Sequence, residues 1–148
     1  MEISRAKRQI LEATDQLFTN QVMSHSGHAN FSARIDINTY LITTKGTVRN
    51  LTAKDLALVD LNGKILDGNL DPTNLEILSM HSAIYKIVDY AEAVIHTHSP
   101  HVLAFALANK PLPCRYEALF RFGQATECQL RIGGREVRNS RLTPLNRR

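Results

Sequence analysis

The sequence has no tryptophan, only two cysteines (Cys114 and Cys128), and aromatic residues make up just 6% of its 148 positions. Two thiols cannot build a disulfide framework, and the start Met1-Glu2-Ile3-Ser4-Arg5 lacks the apolar run of a secretory signal, so a reduced, cytoplasmic compartment is expected. The longest apolar stretch, Val102 to Ala108, is far too short to span a bilayer, and no membrane partner is expected. With 7 Gly and 5 Pro, the chain is neither collagen-like nor low in complexity. What remains is 43% hydrophobic and 22% charged, the balance of one ordinary soluble domain with a core of its own.

The formal charge of +4 raises nucleic acid as a partner, but the charge is very unevenly placed. Six arginines (Arg131, Arg135, Arg138, Arg141, Arg147 and Arg148) face one acid, Glu136, after position 127, whereas residues 1–127 hold 12 basic and 13 acidic groups. The body is near neutral, with no basic stripe or aromatic platform, so nucleic acid is not the expected ligand.

Periodicity divides the body into helices and strands. Ile3, Ala6, Ile10, Ala13, Leu17 and Phe18 recur at spacings of three and four, which predicts an amphipathic helix over 3–23, broken by Ser24 to Ala29. Short β-branched or aliphatic runs at 31–35, 39–43 and 56–61 read as strands, and Asn62-Gly63 as a hairpin turn into a returning strand at 64–66. Pro72 starts a second helix over 75–90, the apolar run 91–97 reads as a buried strand, and Pro100 opens a third helix to 109. Helices interleaved with an early meander predict a three-layer α/β/α domain with a mostly antiparallel sheet.

The chemistry-bearing residues gather at strand ends. His96 and His98 lie at i and i+2 on a strand, so both imidazoles point to one face, the arrangement a first-row metal requires. Such pairs also occur as hydrogen-bonded core residues or by chance on exposed strands. Glu76 is either a first-turn acid complementing the helix dipole or a carboxylate beside a metal, able to move protons. His81 reads as a hydrogen-bonded helix residue rather than a ligand, and His25, His28 and His101 receive no ligand role. The strings Gly27 to Ser32 and Leu41 to Gly46 offer hydroxyl, amide and backbone N–H groups that suit a phosphate, with Lys45 adding a charge. Loops of this composition also simply turn the chain.

Taken in order, these segments resemble the class II aldolase/adducin family over about residues 1–127. Asn30-Phe31-Ser32-Ala33-Arg34 is similar to its G-N-x-S-A-R segment with Ala29 in place of Gly, Leu41 to Gly46 to its L-I-T-P-S/T-G loop, and Leu51 to Asp60 to its L-T-x-x-D-L-x-x-V-D string. Met80 to Tyr85, followed by Val94-Ile95-His96-Thr97-His98-Ser99-Pro100, is the most specific part. The resemblance implies that His96, His98 and Glu76 are metal ligands, that Glu76 also serves as the acid/base, and that Tyr116 is a catalytic tyrosine working across a subunit boundary. It implies anion binding by Asn30, Ser32, Thr44, Gly46 and Thr73, with a divalent metal, Zn2+, as cofactor. Glu76 precedes His81 by five residues, where the family pattern has four.

The implied activity is an aldolase-type lyase that cleaves a sugar phosphate by retro-aldol chemistry through an enediolate, in a homo-oligomer, commonly a tetramer. The alternatives are a non-catalytic adducin-like or vestigial domain, or an epimerase, dehydratase or decarboxylase of the same family. The family's third metal histidine, well downstream of H-T-H, has no counterpart after His101. Residues 128–148 form an atypical basic tail without apolar periodicity. Degenerate codons for this segment can spell V-P-V-A-D-W-G-P-R-G-S in another frame, so an out-of-frame tail is expected there.

Overall fold

A computed structural model describes residues 1–113 and 125–126, which fall into two compact units, Met1–His98 and Ser99 onward. The first unit is built on a five-stranded sheet in the order β4-β3-β2-β1-β5, formed by β1 (Ala29–Arg34), β2 (Thr39–Thr43), β3 (Leu56–Asp60), β4 (Ile65–Asp67) and β5 (Ala93–Thr97). Every pairing is antiparallel.

Strand alternation sends two sets of side chains to opposite faces. Helix α1 (Ile3–Thr19) lays Ala6 and Ile10 on Ala29, Phe31, Ala33, Leu41 and Leu56. Helix α2 (Leu75–Ile87) lays Leu78 and Tyr85 on Tyr40, Ile42, Ala57 and Val59. The sheet is therefore the middle layer of three, as its sequence pattern predicts. In the second unit, α3 (Pro100–Leu107) precedes β6 (Leu112–Pro113), which pairs with β7 (Ala125–Thr126).

Several elements are shorter than their periodicity suggests. α1 stops at Thr19, with Asn20 donating its amide back to the Gln16 carbonyl and Gln21 turning to a φ of 56°. A left-handed residue ends a helix whatever apolar positions follow, so Val22 and Met23 lie outside it. α2 ends at Ile87, and the chain crosses to β5 through residues that carry carbonyls bound by Arg34. β5 itself is an edge, since among the described residues it pairs with β1 alone. Ile95 is 54% exposed, so the apolar run does not mark a buried strand.

Three family-like strings have structural explanations. Asp55 accepts from both the amide and the hydroxyl of Thr52 and forms an ion pair with Lys45, which explains the L-T-x-x-D spacing and means Lys45 is not a free charge. Arg34 donates to the carbonyls of Ala91, Tyr85 and Val88 while its guanidinium covers the Tyr85 ring at 4.6 Å, pinning the end of α2 to the sheet. Gly27 holds a left-handed φ of +71° that strains any other residue, and a Cβ there would press on the Thr47 hydroxyl at 3.0 Å.

Candidate functional site

The register of β1 against β5 pairs Ala29 with Thr97 and Asn30 with His96. Asn30 and His96 therefore share the α2 face of the sheet, and His98, two residues on from His96, shares it too. The Nε2 atoms of His96 and His98 stand 3.1 Å apart, with ring centroids at 5.1 Å. Two nitrogens bound to one tetrahedral zinc at 2.0–2.1 Å would be separated by about 3.3 Å, so this pair fits two corners of such a site. Burial, and secondarily the charge of His98, holds His96 below the usual histidine value, which favours the neutral ring that a metal needs. Among the described residues no group of three His, Cys, Asp or Glu side chains converges, and Glu76 lies exposed in the first turn of α2.

Behind Asn30 runs a buried polar chain. His81 is fully buried, and its two ring nitrogens reach Asn30 Oδ1 at 2.6 Å and Ser32 Oγ at 2.6 Å. An amide oxygen only accepts, so Nε2 carries the proton and donates to Asn30, which leaves Nδ1 to accept from the Ser32 hydroxyl. Ser32 in turn accepts from the Tyr85 hydroxyl at 2.8 Å. Burial, with a smaller contribution from the charge of His96, lowers His81 to about 4, so it stays neutral near pH 7. With both nitrogens committed, His81 is the hydrogen-bonded residue its helical position suggests. The chain fixes the Asn30 carboxamide with its oxygen inward, leaving the amino group as the donor beside His96. Ser32, a candidate anion ligand, is 2% exposed and spends its hydroxyl within this chain.

The loop after β2 arrives at the same end of the sheet. Ala29 donates its amide to the Gly46 carbonyl, and Asn74 donates its side-chain amide to the Thr44 carbonyl. Gly46 is packed so closely on Asn74 that a Cβ would lie 3.3 Å from its side-chain oxygen. Asn30, Thr44, Gly46 and the Thr73-Asn74 turn are thus gathered around the start of β1. The Thr73 hydroxyl donates to Asp71 at 2.7 Å, and this bond with the Thr73 amide holds Asp71 below the usual carboxylate value. Tyr116 lies outside the described residues, as does the tail 128–148. An apolar groove lined by Ile10, Ala13, Phe31, Ala33 and Ile95 lies on the α1 face, opposite the histidines.

His28, which sequence reasoning left without a role, lies next to this pair. Its ring stacks on that of His98 with centroids 6.3 Å apart. The signal that finds it is register: with Ala29 across from Thr97, the preceding residue falls across from His98.

Residues 8–140 match the model of the Class II Aldolase and Adducin N-terminal domain, and the chain belongs to that family. It is 35% identical over 96 residues to an L-fuculose phosphate aldolase of Methanococcus maripaludis, covering 65% of this chain and 51% of that protein. It is 31% identical over 111 residues to a methylthioribulose-1-phosphate dehydratase of Hahella chejuensis, covering 74% of this chain and 52% of that one. The fold matches a solved L-fuculose 1-phosphate aldolase with a TM-score of 0.65 at 22% identity, over 76% of this chain and 53% of the other. The chain thus spans about half the length of these relatives.

Proposed function

We propose that the chain carries the metal and phosphate sites of a divalent-metal-dependent aldolase-type lyase that acts on a sugar phosphate, as a cytoplasmic homo-oligomer. The observation that carries this reading is the pair of imidazole nitrogens 3.1 Å apart at the sheet end where the Thr44–Gly46 loop also arrives. Relatives named for L-fuculose phosphate and for methylthioribulose 1-phosphate support a phosphorylated ketose as the substrate class. Aldol cleavage is the leading reaction, because the aldolase recurs among these relatives.

His96 and His98, whose Nε2 atoms face each other at 3.1 Å, would hold the metal. Zn2+ bound there would supply Lewis-acid stabilisation of the negative charge that develops on the ketone oxygen as the bond between the α and β carbons breaks. The Asn30 amino group, the Thr44 hydroxyl and the Gly46 backbone N–H bind the phosphate, with Thr73 at the rim, while the Thr44 amide is spent on the Asp55 carbonyl. Ser32 contributes indirectly, by holding His81 and hence the Asn30 amide in one orientation. Glu76, exposed at the start of α2, carries the proton between substrate and solvent. Tyr116 is the candidate for protonating the leaving fragment from a neighbouring subunit.

The test is incubation of the chain with L-fuculose 1-phosphate and Zn2+, followed by a coupled assay for the three-carbon ketone phosphate. Release that stops with a chelator, returns with Zn2+ and is lost in His96→Ala supports the reading. Release unaffected by the chelator contradicts it.

A further inference from the structure

We propose that His28 supplies a third imidazole to the metal site of His96 and His98, a proposal that rests on the metal-binding reading above. The carrying observations are the His28 ring stacked beside that of His98 and the β1–β5 register, whose last pair, Ala29 with Thr97, continued by one residue sets His28 across from His98. Side chains directly opposite in an antiparallel pair have Cβ atoms about 4.5–5.5 Å apart, close enough for their rings to reach one ion. A His-x-His pair on one strand and a histidine opposite its end on the next strand occupy three corners of a triangle on one face. Three imidazoles with an open fourth position make a recognised catalytic zinc donor set.

The backbone around His28 is fixed and its side chain is not. Gly27 accepts from the Val48 amide, Ala29 donates to Gly46, and His28 itself bridges to Thr47. The side chain is exposed. Its ring is roughly parallel to that of His98, with a 6.3 Å centroid separation and a 29° angle between planes, whereas the convergent His96–His98 pair is at 5.1 Å and 80°. Turning from this stack to an edge-on approach requires rotation about side-chain torsions alone, which an exposed residue makes in picoseconds to nanoseconds. Such a site would take Zn2+ or Co2+, with the remaining position open to a substrate oxygen or water.

The experiment loads the metal-stripped full chain with Co2+ and records the visible absorption, then measures the Zn2+ dissociation constant by chelator competition. Wild type, His28→Ala, His98→Ala and the control His25→Ala are compared, with circular dichroism confirming that each is folded. The expected result is an intense visible band in wild type and His25→Ala, and at least a tenfold loss of Zn2+ affinity with a collapsed band in His28→Ala. A wild type that binds metal, with His28→Ala indistinguishable from it and His98→Ala impaired, overturns the role of His28 alone. A wild type that takes up no metal overturns this role together with the reading beneath it.

Discussion

His81 sits in an environment far from the ordinary one of a histidine. It is fully buried, both its nitrogens are engaged, and its partners Asn30 and Ser32 lie 51 and 49 positions away. Replacing it with Ala removes a packed ring and leaves Asn30 Oδ1 without its donor and the Ser32 hydroxyl without its acceptor, a loss of about 3–5 kcal/mol in stability. Urea denaturation checks this, and a loss below 1 kcal/mol would mean that the buried chain does not hold α2 to the sheet. Its pH dependence follows from its depressed value. The unfolded chain takes up a proton near pH 6.5, while the folded chain resists until about 4. Stability from this residue is therefore complete above pH 6.5 and falls by roughly 1.4 kcal/mol per unit, about 3 kcal/mol in all, as the pH drops to 4. The urea midpoint of wild type should fall across that window more steeply than that of His81→Gln, and parallel slopes would exclude His81 as the cause. At this scale sequence showed the His96–His98 pair, because a spacing of two fixes a shared face, but not the stacking of His28 on His98, which depends on how two distant strands align.

Among the elements, the placement of α1, the β1–β2–β3 meander and the start of α2 was legible, because each carries its own periodicity or turn signal. The ends were not. α1 ends where Gln21 turns left-handed, and nothing in the apolar spacing marks that turn. β5 reads as buried because a continuous apolar run suits a strand covered on both faces. Its position at the sheet edge among the described residues is set by topology, and Ile95 is left half exposed. Arg34 joins three elements: it leaves β1, spans the end of α2 and binds the connection to β5. Arg34→Lys keeps the charge but cannot reproduce the planar fork over Tyr85, so a loss of roughly 1–3 kcal/mol is expected. Thermal denaturation is the check, and an unchanged midpoint would mean the three carbonyls find other donors.

For the molecule as a whole, the three-layer arrangement separates structural chemistry from candidate functional chemistry. One sheet face takes the apolar side of α1; the other takes α2, the buried His81 chain and, at one end, the histidine pair with the Thr44–Gly46 loop. The near-neutral body and the +5 segment after residue 127 are distinct in composition, and it is the body that carries His28, His96 and His98. In the function proposed above, His96 and His98 hold a divalent metal. Zinc content per chain, measured by mass spectrometry after saturation with Zn2+ and exhaustive dialysis, tests it most directly. One zinc per wild-type chain and almost none in folded His96→Ala and His98→Ala is the expected result; equal zinc in all three, or none in wild type, would contradict it.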